Sequence, residues 1–380
     1  MIDYDSFIKI SSYLTENGVA LLVAEDFEGR RDPTVRFFTN HPGDALAFFA
    51  TGPEPSILLV PWDINVANQY VKHDEGINIK IVPYTDFERN PYKALKGAID
   101  ILHIQPGSRI EIPPTTSYPS FLRYVDAFPD YDILCREDGS FSILQQRRAI
   151  KLYSEVTIYR KAAAITNEVI DALEQEIRNN KFETEADVAL FIERQARLRG
   201  CEGTGFETLV AGPTRSFGIH AFPAYTGAAF TGPGLSIIDF GLKYEGYTTD
   251  VTITVARGPL NRTQERMLTL VEKAYHLAVS LVKYKAATKD VAEAVDKFFE
   301  KAKKKMPHAL GHGIGLEAHE APVIRNRSDN DWVFKNGMVF TLEPGLYDPV
   351  HGGCRLENDF ILVEDDLEQL TNARIIRIDE

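Results

Sequence analysis

The pattern of apolar residues changes near residue 147, and this change divides the chain of 380 residues into two parts. Before it, short apolar runs alternate with helical stretches, which predicts an α/β layer around a largely buried sheet. The candidate strands are 20–25, 56–62, 78–84 and 108–113, and the candidate helices are 64–73, 90–102 and 117–128. We therefore predict a smaller α/β domain over 1–147 and a second domain over 148–380.

The second part is predicted to combine long helices with strand hairpins. Apolar residues recur at near-helical spacing over 151–177, and a helix over 184–199 is expected to begin with Thr184 as N-cap and Asp187 three residues on. Further helices are predicted over 261–282 and 288–304, and strands over 206–212, 235–246, 247–258, 337–347 and 354–365. Two long helices between paired hairpins predict an α+β fold rather than a doubly wound one.

Charge and cysteine content exclude several classes of protein. The net charge of −13 comes from 42 basic and 55 acidic residues, and it disfavours binding to nucleic acids and to anionic membranes. Three widely spaced cysteines, Cys135, Cys201 and Cys354, do not form a disulfide framework and are typical of a reducing compartment. No apolar run is long enough to span a bilayer, and the acidic start does not match a signal peptide. These features predict a cytoplasmic protein.

Two aspartates lie inside apolar strand patterns, where a charged group is costly to bury. Asp239 lies in SIIDFG, and Asp250 follows 11 residues later (250 − 239) in TTDVTIT. A hairpin with Tyr244 and Glu245 in its turn would place the two carboxylates opposite each other. Each alone could be a solvated or ion-paired strand residue, but two facing carboxylates repel unless a cation lies between them.

Two glutamates repeat this pattern further along the chain. Glu343 lies in FTLEPG and Glu357 in CRLEND, and their midpoint is position 350, inside the turn-like DPVHGG. A second hairpin would therefore bring Glu343 near Glu357. Together with the two aspartates they carry a charge of about −4, which two divalent cations would offset.

A glycine-rich segment, HALGHGIGLEAHE over 308–320, carries three histidines: His308, His312 and His319. Its glycines allow close backbone approach and make a regular helix unfavourable. Imidazole is a ligand for Mn, Co, Zn or Fe(II) beside carboxylates. The segment is not HExxH, so the helix of single-zinc metalloproteases is excluded.

The combination IIDFG, TTDVT, GHGIGLEAHE, LEPG and RLEN resembles the pita-bread metallopeptidases, which include prolidase, aminopeptidase P and methionine aminopeptidase. The ligand types occur in that family's order, and the resemblance covers about 150 to 378. The first part of the chain resembles the N-terminal accessory domain of prolidase, aminopeptidase P and creatinase. The resemblance implies a pita-bread catalytic domain over 148–380, preceded by a creatinase-like domain over 1–147.

The same resemblance implies a metal centre with two divalent ions per chain, Mn first and Co, Zn or Fe as alternatives. Asp239 would bind one ion through both oxygens, His312 and Glu343 would bind the other, and Asp250 and Glu357 would bridge them. A water or hydroxide between the ions would be the nucleophile. Glu343 would also carry the proton to the leaving amine.

Four further residues match the family's substrate-side positions. His319 would donate to the scissile carbonyl or the developing oxyanion, and His308 would lie on the substrate side. His220 in GIHAFPAYTG would be the upstream catalytic histidine, although it stands 19 residues before Asp239 (239 − 220), which is further than usual. Arg355 would either pack behind the metals or contact a substrate carboxylate, and an ion pair with an acidic residue is an equal alternative.

The resemblance implies an exopeptidase that hydrolyses peptides with proline after the scissile bond. The leading prediction is a Xaa-Pro dipeptidase, and the runner-up is aminopeptidase P, which accepts longer peptides. Methionine aminopeptidase comes third, because many of its members lack the N-terminal domain. A non-catalytic pita-bread module that binds peptides is the alternative from another class of function. Such relatives usually lack some of the metal-binding residues, whereas all five are present here. A homodimer is expected from the resemblance alone.

Overall fold

The computed structural model describes residues 2–72 and 75–378. They form two compact units that divide between Arg148 and Ala149, one residue beyond the predicted boundary. Among the described residues, no helix combines the length and the apolar character that crossing a membrane requires.

The N-terminal unit is a mixed sheet with helices. Its strands are β1 (Val19–Asp26), β2 (Ala45–Ala50), β3 (Ser56–Pro61), β4 (Asn78–Ile81), β5 (Arg109–Glu111) and β6 (Asp132–Leu134). Its helices are α1 (Tyr4–Glu16), α2 (Pro33–Thr39), α3 (Ile64–Tyr70), α4 (Pro91–Ile101), α5 (Tyr118–Ala127) and α6 (Ser140–Ala149), whose last residue lies across the division. The strand order is β4-β3-β2-β1-β5-β6, with β2 antiparallel to both neighbours and the other pairs parallel. The predicted α/β layer is confirmed.

Strand β2 and helix α1 are absent from the sequence-based prediction, for different reasons. All residues of β2 are buried, so its sequence ALAFFA lacks the alternation of a half-exposed strand, and alanine is depleted in strands. In α1 the signal is present in the sequence, because Phe7, Ile10 and Leu14 are buried at helical spacing.

The C-terminal unit contains the predicted long helices. They are α7 (Tyr153–Arg178), α8 (Glu185–Leu198), α9 (Arg262–Leu281) and α10 (Thr288–Lys301). The predicted start of α8 is confirmed, because the Asp187 N–H donates to the Thr184 hydroxyl at 3.2 Å and the Thr184 N–H donates to the Asp187 carboxylate at 2.8 Å. These two hydrogen bonds satisfy backbone N–H groups at the start of the helix that have no partner within the helix.

We expect Thr184→Ala to lower the free energy of unfolding by about 1 kcal/mol, the typical cost of losing an N-cap. Chemical denaturation measures it. Thr269→Ala, an exposed position inside α9, is the control, because alanine there improves helix propensity. Equal effects of the two substitutions would contradict the capping role of Thr184.

The strands of the C-terminal unit form two larger and two smaller sheets within the described residues. They are β7 (Gly203–Thr204), β8 (Leu209–Ala211), β9 (Gly234–Phe240), β10 (Leu242–Tyr244), β11 (Tyr247–Thr248), β12 (Val251–Arg257), β13 (Gly311–Gly313), β14 (Glu320–Ile324), β15 (Val339–Leu342), β16 (Gly345–Asp348), β17 (Gly352–Arg355), β18 (Asn358–Val363), β19 (Asp366–Gln369) and β20 (Ile375–Ile378). The larger sheets have the orders β20-β12-β9-β8 and β14-β13-β15-β18-β19. Sheets that are antiparallel except for the β12–β20 pair, with separate long helices, confirm the α+β fold.

Each larger sheet packs one face against a pair of long helices. Helices α7 and α8 share a core with Ile238 and Ile253 of the first sheet. Helices α9 and α10 share another with Phe340 and Phe360 of the second. Because side chains alternate along a strand, residues next to these apolar ones point to the opposite face. An isolated bridge between Thr252 and Glu357 joins the two sheets there.

Candidate metal centre

The first hairpin brings two aspartates to one face, but not in the predicted register. Asp239 pairs with Thr252 rather than with Asp250, so the direct opposition predicted from the sequence is wrong. The turn lies one residue later than predicted, at Glu245 and Gly246, which both have positive φ. Such a two-residue turn matches the twist of the strands, and glycine adopts it without strain. Asp250 lies diagonally across from Asp239, still on the same face.

The second hairpin has the predicted register, centred on position 350. Leu342 of β15 pairs with Asn358 of β18, and the shorter pair β16–β17 continues the same register towards the turn. Glu343 directly follows Leu342, and Glu357 directly precedes Asn358. The two glutamates therefore face each other across the hairpin. Burial first, and then the charge of Glu357, raises the pKa of Glu343 well above that of an ordinary carboxyl.

His312 lies in the short strand β13 between two glycines. A Cβ at Gly311 would lie 2.0 Å from the Thr341 carbonyl oxygen, and one at Gly313 would lie 2.0 Å from the Ala321 carbonyl oxygen. Only glycine allows the neighbouring strands to approach this closely. The prediction that this segment is not a regular helix is confirmed, and the close approach carries the imidazole towards the acidic face.

Side chains that are distant in sequence meet at this face. One ligand atom each from Asp250, His312 and Glu357 lies within 4.8 Å of the others. His312 Nε2 is 3.7 Å from Asp250 Oδ2 and 3.7 Å from Glu343 Oε1. The structure thus brings together four of the five residues that the sequence predicts as metal ligands.

The fifth predicted ligand, Asp239, has one engaged and one free carboxylate oxygen. Its Oδ2 accepts a hydrogen bond from Arg355 Nη2 at 2.6 Å. Its Oδ1 is buried and has no hydrogen-bond partner within the described residues. A buried acceptor without a partner is unfavourable, and a cation would satisfy it.

The carboxyl groups of the cluster have raised pKa values, as expected for a site that a cation would stabilise. Burial raises the pKa of Asp250 well above its usual range, and the charges of Glu357 and Asp239 raise it further. Burial and then the Asp239 charge raise the pKa of Glu357 to about 7. Carboxylates that repel one another in a buried site are stabilised by a positive ion, and these oxygens with one imidazole suit a divalent metal.

His312 has the protonation that a ligand needs. Burial lowers its pKa to about 3, so the ring is neutral at pH 7. Its Nδ1 donates to the Gly313 carbonyl oxygen at 3.2 Å, which leaves the lone pair of Nε2 directed at the carboxylates.

Arg355 is buried, and its guanidinium group donates hydrogen bonds to other groups of the protein. Besides Asp239, it donates from Nε to the Thr252 hydroxyl at 2.9 Å. Its Nη1 donates to the Tyr347 hydroxyl at 2.7 Å and to the Ile219 carbonyl oxygen at 3.2 Å. Of the alternatives left open by the sequence, this geometry favours the ion pair behind Asp239 over contact with a substrate carboxylate.

His308 lies beside Glu343, with 3.7 Å between its Nδ1 and Glu343 Oε2. Its Nδ1 donates to the Ala309 carbonyl oxygen at 2.8 Å, and its Nε2 lies 3.0 Å from the Tyr347 hydroxyl. Burial lowers the pKa of His308 to about 4, and the charge of Arg355 contributes. The imidazole is therefore neutral at pH 7.

His319 and His220 are exposed, unlike the residues of the acidic cluster. The ring centroid of His319 is 4.3 Å from that of His312. Partial desolvation of the ring first, and then the charge of His220, lowers the pKa of His319, and His220 also contributes to the lowered pKa of His308. All three substrate-side histidines thus lie around the same cluster.

Three contributing residues were not singled out from the sequence. Asp359 is fully buried and accepts the Asp250 N–H at 3.2 Å, so it fixes the backbone of that residue. The Thr252 hydroxyl donates to Glu357 Oε2 at 2.7 Å, and Tyr347 connects Arg355 with His308. Asp359 carries the signal used for the other acids, because it precedes the apolar run FILV.

Comparisons with known proteins identify the family and the fold of this chain. The model of metallopeptidase family M24 matches residues 157–364. A Xaa-Pro dipeptidase of Pyrococcus horikoshii is 27% identical over 369 residues, which cover 96% of each chain. The structure of a prolidase from Thermococcus sibiricus has a TM-score of 0.82 at 24% identity and covers 100% of both chains. An X-Pro aminopeptidase structure from Thermotoga maritima has a TM-score of 0.78 at 26% identity, covering 95% of this chain and 98% of that one.

These likenesses confirm the fold predicted from the sequence, a pita-bread domain preceded by a smaller α/β domain. The family match extends over more than half of the chain, and it includes both hairpins and the His312 strand. The buried acidic face lies within the matched residues, and this chain belongs to metallopeptidase family M24 and is a metal-dependent peptidase.

Proposed function

We propose that this protein is a Xaa-Pro dipeptidase that works with two divalent ions. The observation that carries the proposal is the buried acidic cluster, in which Asp239 Oδ1 has no partner among the described residues. The substrate class is supported by the similar proteins that are named Xaa-Pro dipeptidase. Proline removes an amide hydrogen and restricts φ, so its peptides need a dedicated enzyme.

The five ligands would divide between the two ions as the resemblance implies. Asp239 would hold one ion, His312 and Glu343 the other, and Asp250 and Glu357 would be shared. Manganese is our first choice, with cobalt, zinc or iron as alternatives, because oxygen-rich sites with one imidazole accept all of them. When bound, the ions activate water and polarise the scissile carbonyl.

The remaining side chains would orient the substrate and move protons. Glu343 has a raised pKa and lies next to His308, which suits a carboxyl that takes a proton and passes it to the leaving amine. His319 would donate to the oxyanion. His308 and His220 would contact the substrate, and Arg355 would hold Asp239 in place rather than bind substrate.

Aminopeptidase P activity is the second candidate. The X-Pro aminopeptidase of Thermotoga maritima is similar over 95% of this chain. In addition, the protein contacts of Arg355 remove one candidate for binding the free carboxylate of a dipeptide. The non-catalytic alternative is not favoured, because all five ligand types are present.

We expect Ala-Pro to be hydrolysed with a higher kcat/KM than Ala-Pro-Ala. The exposed ring of His220 would bind the free carboxylate after proline through an N–H, and an extended chain would leave that donor without its partner. Kinetics on both peptides with Mn²⁺ or Co²⁺, with and without chelator, measure the difference. A preference for the tripeptide would replace the dipeptidase by aminopeptidase P.

Metal binding is expected to stabilise the fold. Only the folded chain brings the four carboxylates together, so Mn²⁺ at 100 times its Kd should add about 2.7 kcal/mol to the free energy of unfolding. Denaturation of metal-stripped protein with and without Mn²⁺ measures this. Asp366→Ala, which removes an exposed carboxylate, should respond as the unchanged protein does. A metal-stripped protein that Mn²⁺ does not stabilise would contradict the assignment of the site.

A homodimer and a cytoplasmic location also belong to this proposal. Both come from the predictions made on the sequence, where the dimer rests on family resemblance. Analytical ultracentrifugation of the full chain tests the dimer, and a monomer at micromolar concentration would contradict it.

A further inference from the structure

The segment over 212–226, here called the His220 loop, is the first part of the connection from strand β8 to strand β9 and contains no helix or strand in the structure. His220 is exposed, and its side chain makes no hydrogen bond to any described residue. The position of its imidazole therefore depends on how the backbone of the loop is held. An irregular segment of this length is expected to be mobile unless specific contacts order it.

Both ends of the His220 loop are bound to one buried carboxylate. Glu185, the first residue of α8, is fully buried. Its Oε1 accepts the Gly212 N–H at 2.8 Å. Its Oε2 accepts the Thr226 N–H at 2.9 Å and the Thr226 hydroxyl at 2.7 Å. The carboxylate thus joins the two ends of the loop, Gly212 directly after β8 and Thr226 eight residues before β9 (234 − 226).

Arg215 extends this contact into the loop. Its Nη1 forms an ion pair with Glu185 and donates to the Thr226 hydroxyl at 3.2 Å. Its Nη2 donates to the Pro223 carbonyl oxygen, three residues after His220. Charge-assisted hydrogen bonds of this kind are about twice as strong as neutral ones.

The middle of the loop is hydrogen-bonded to strands β9 and β17. The Ser216 hydroxyl donates to the Leu235 carbonyl oxygen at 2.6 Å and accepts the Gly353 N–H at 3.0 Å. The carbonyl of Ile219, the residue before His220, accepts from Arg355 Nη1 at 3.2 Å. Because Arg355 also holds Asp239, one guanidinium connects a predicted metal ligand with the backbone beside the histidine.

We propose that Glu185 and Arg215 are positioning residues that hold His220 at the metal centre. The two residues close the loop around the attachment at Ser216 and Ile219, so the loop has one arrangement and the imidazole is presented at a fixed distance from the acidic cluster. This inference rests on the proposed role of His220 in binding substrate.

The test compares variants in a double-mutant cycle. Arg215→Ala and His220→Ala should each lower kcat/KM for Ala-Pro by about 10-fold or more, because displacing a substrate-positioning group is costly. The double variant should stay within about 3-fold of His220→Ala alone, since coupled residues are not additive. Glu185→Gln, which places amide hydrogens against the N–H donors, should act in the same direction. Glu193→Gln, on the exposed side of the same helix, is the matched control and should leave kcat/KM unchanged.

Hydrogen exchange gives a measurement that does not depend on activity. Amides over 213–225 should exchange about 10-fold faster or more in Arg215→Ala than in Glu193→Gln, because local opening becomes easier. Metal content should stay the same in every variant. If Glu185→Gln does not fold, Arg215→Ala alone decides the question, because this side chain is partly exposed.

The outcomes separate this inference from the proposed function. Unchanged exchange in Arg215→Ala would overturn the inference whatever the substrate is. Faster exchange with unchanged kcat/KM, or effects that multiply fully with those of His220→Ala, would also overturn it, because the loop would then be held for stability only. If the unchanged protein with Mn²⁺ does not cleave Ala-Pro, the proposed substrate is wrong, and exchange still decides whether Arg215 holds the loop.

Discussion

We expect Asp250→Ala to lose both metal ions and to reduce peptide hydrolysis to the level of buffer alone. Asp250 lies at the centre of the cluster, with its Oδ2 3.7 Å from His312 Nε2 and a ligand atom within 4.8 Å of those of His312 and Glu357. If its carboxylate is shared by both ions, its loss leaves neither with enough donors. Glu357→Ala should have the same effect for the same reason.

Elemental analysis of fully loaded protein, combined with kinetics on Ala-Pro, tests this expectation. The unchanged chain should contain close to two divalent ions, and Asp366→Ala should match it. Asp250→Asn preserves the side-chain shape and separates loss of charge from loss of packing. Two bound ions together with full activity in Asp250→Ala or in Glu357→Ala would show that the ligand assignment is wrong.

We expect His319→Ala to retain the metal ions and to lower kcat by about 100-fold, which is typical for one lost oxyanion donor. The His319 ring lies 4.3 Å from that of His312 by centroid, yet it is exposed and outside the cluster of ligand atoms. Its loss should therefore leave the ligands in place and remove a donor that only the reacting carbonyl uses.

Metal content and the separate values of kcat and KM measure the effect of His319→Ala. His276→Ala, an exposed histidine on α9, is the control and should change neither value. An unchanged kcat in His319→Ala would mean that the imidazole has no part in catalysis. Loss of metal would instead place His319 among the residues that hold the ions.

Much of the candidate site can be predicted from sequence because its signals are local. An acid inside an apolar strand pattern is unfavourable in any fold, so Asp239 and Glu343 are conspicuous without knowledge of their partners. The helices follow from periodicity, and the start of α8 follows from the capping residues Thr184 and Asp187. The second hairpin follows from the positions of Glu343 and Glu357, which are equally distant from position 350 in the turn-like DPVHGG.

The sequence by itself thus determined the α+β fold class, the long helices and part of the set of residues that meet at the acidic face. The tertiary structure alone decided the register of the first hairpin, which depends on where positive φ is adopted, at Glu245 and Gly246. It alone decided that Arg355 binds Asp239 and that Asp359 supports Asp250, because these contacts join residues more than 100 positions apart. Patterns along the chain report what each residue prefers, whereas a buried charge takes its partner from whatever the packed sheets place within reach.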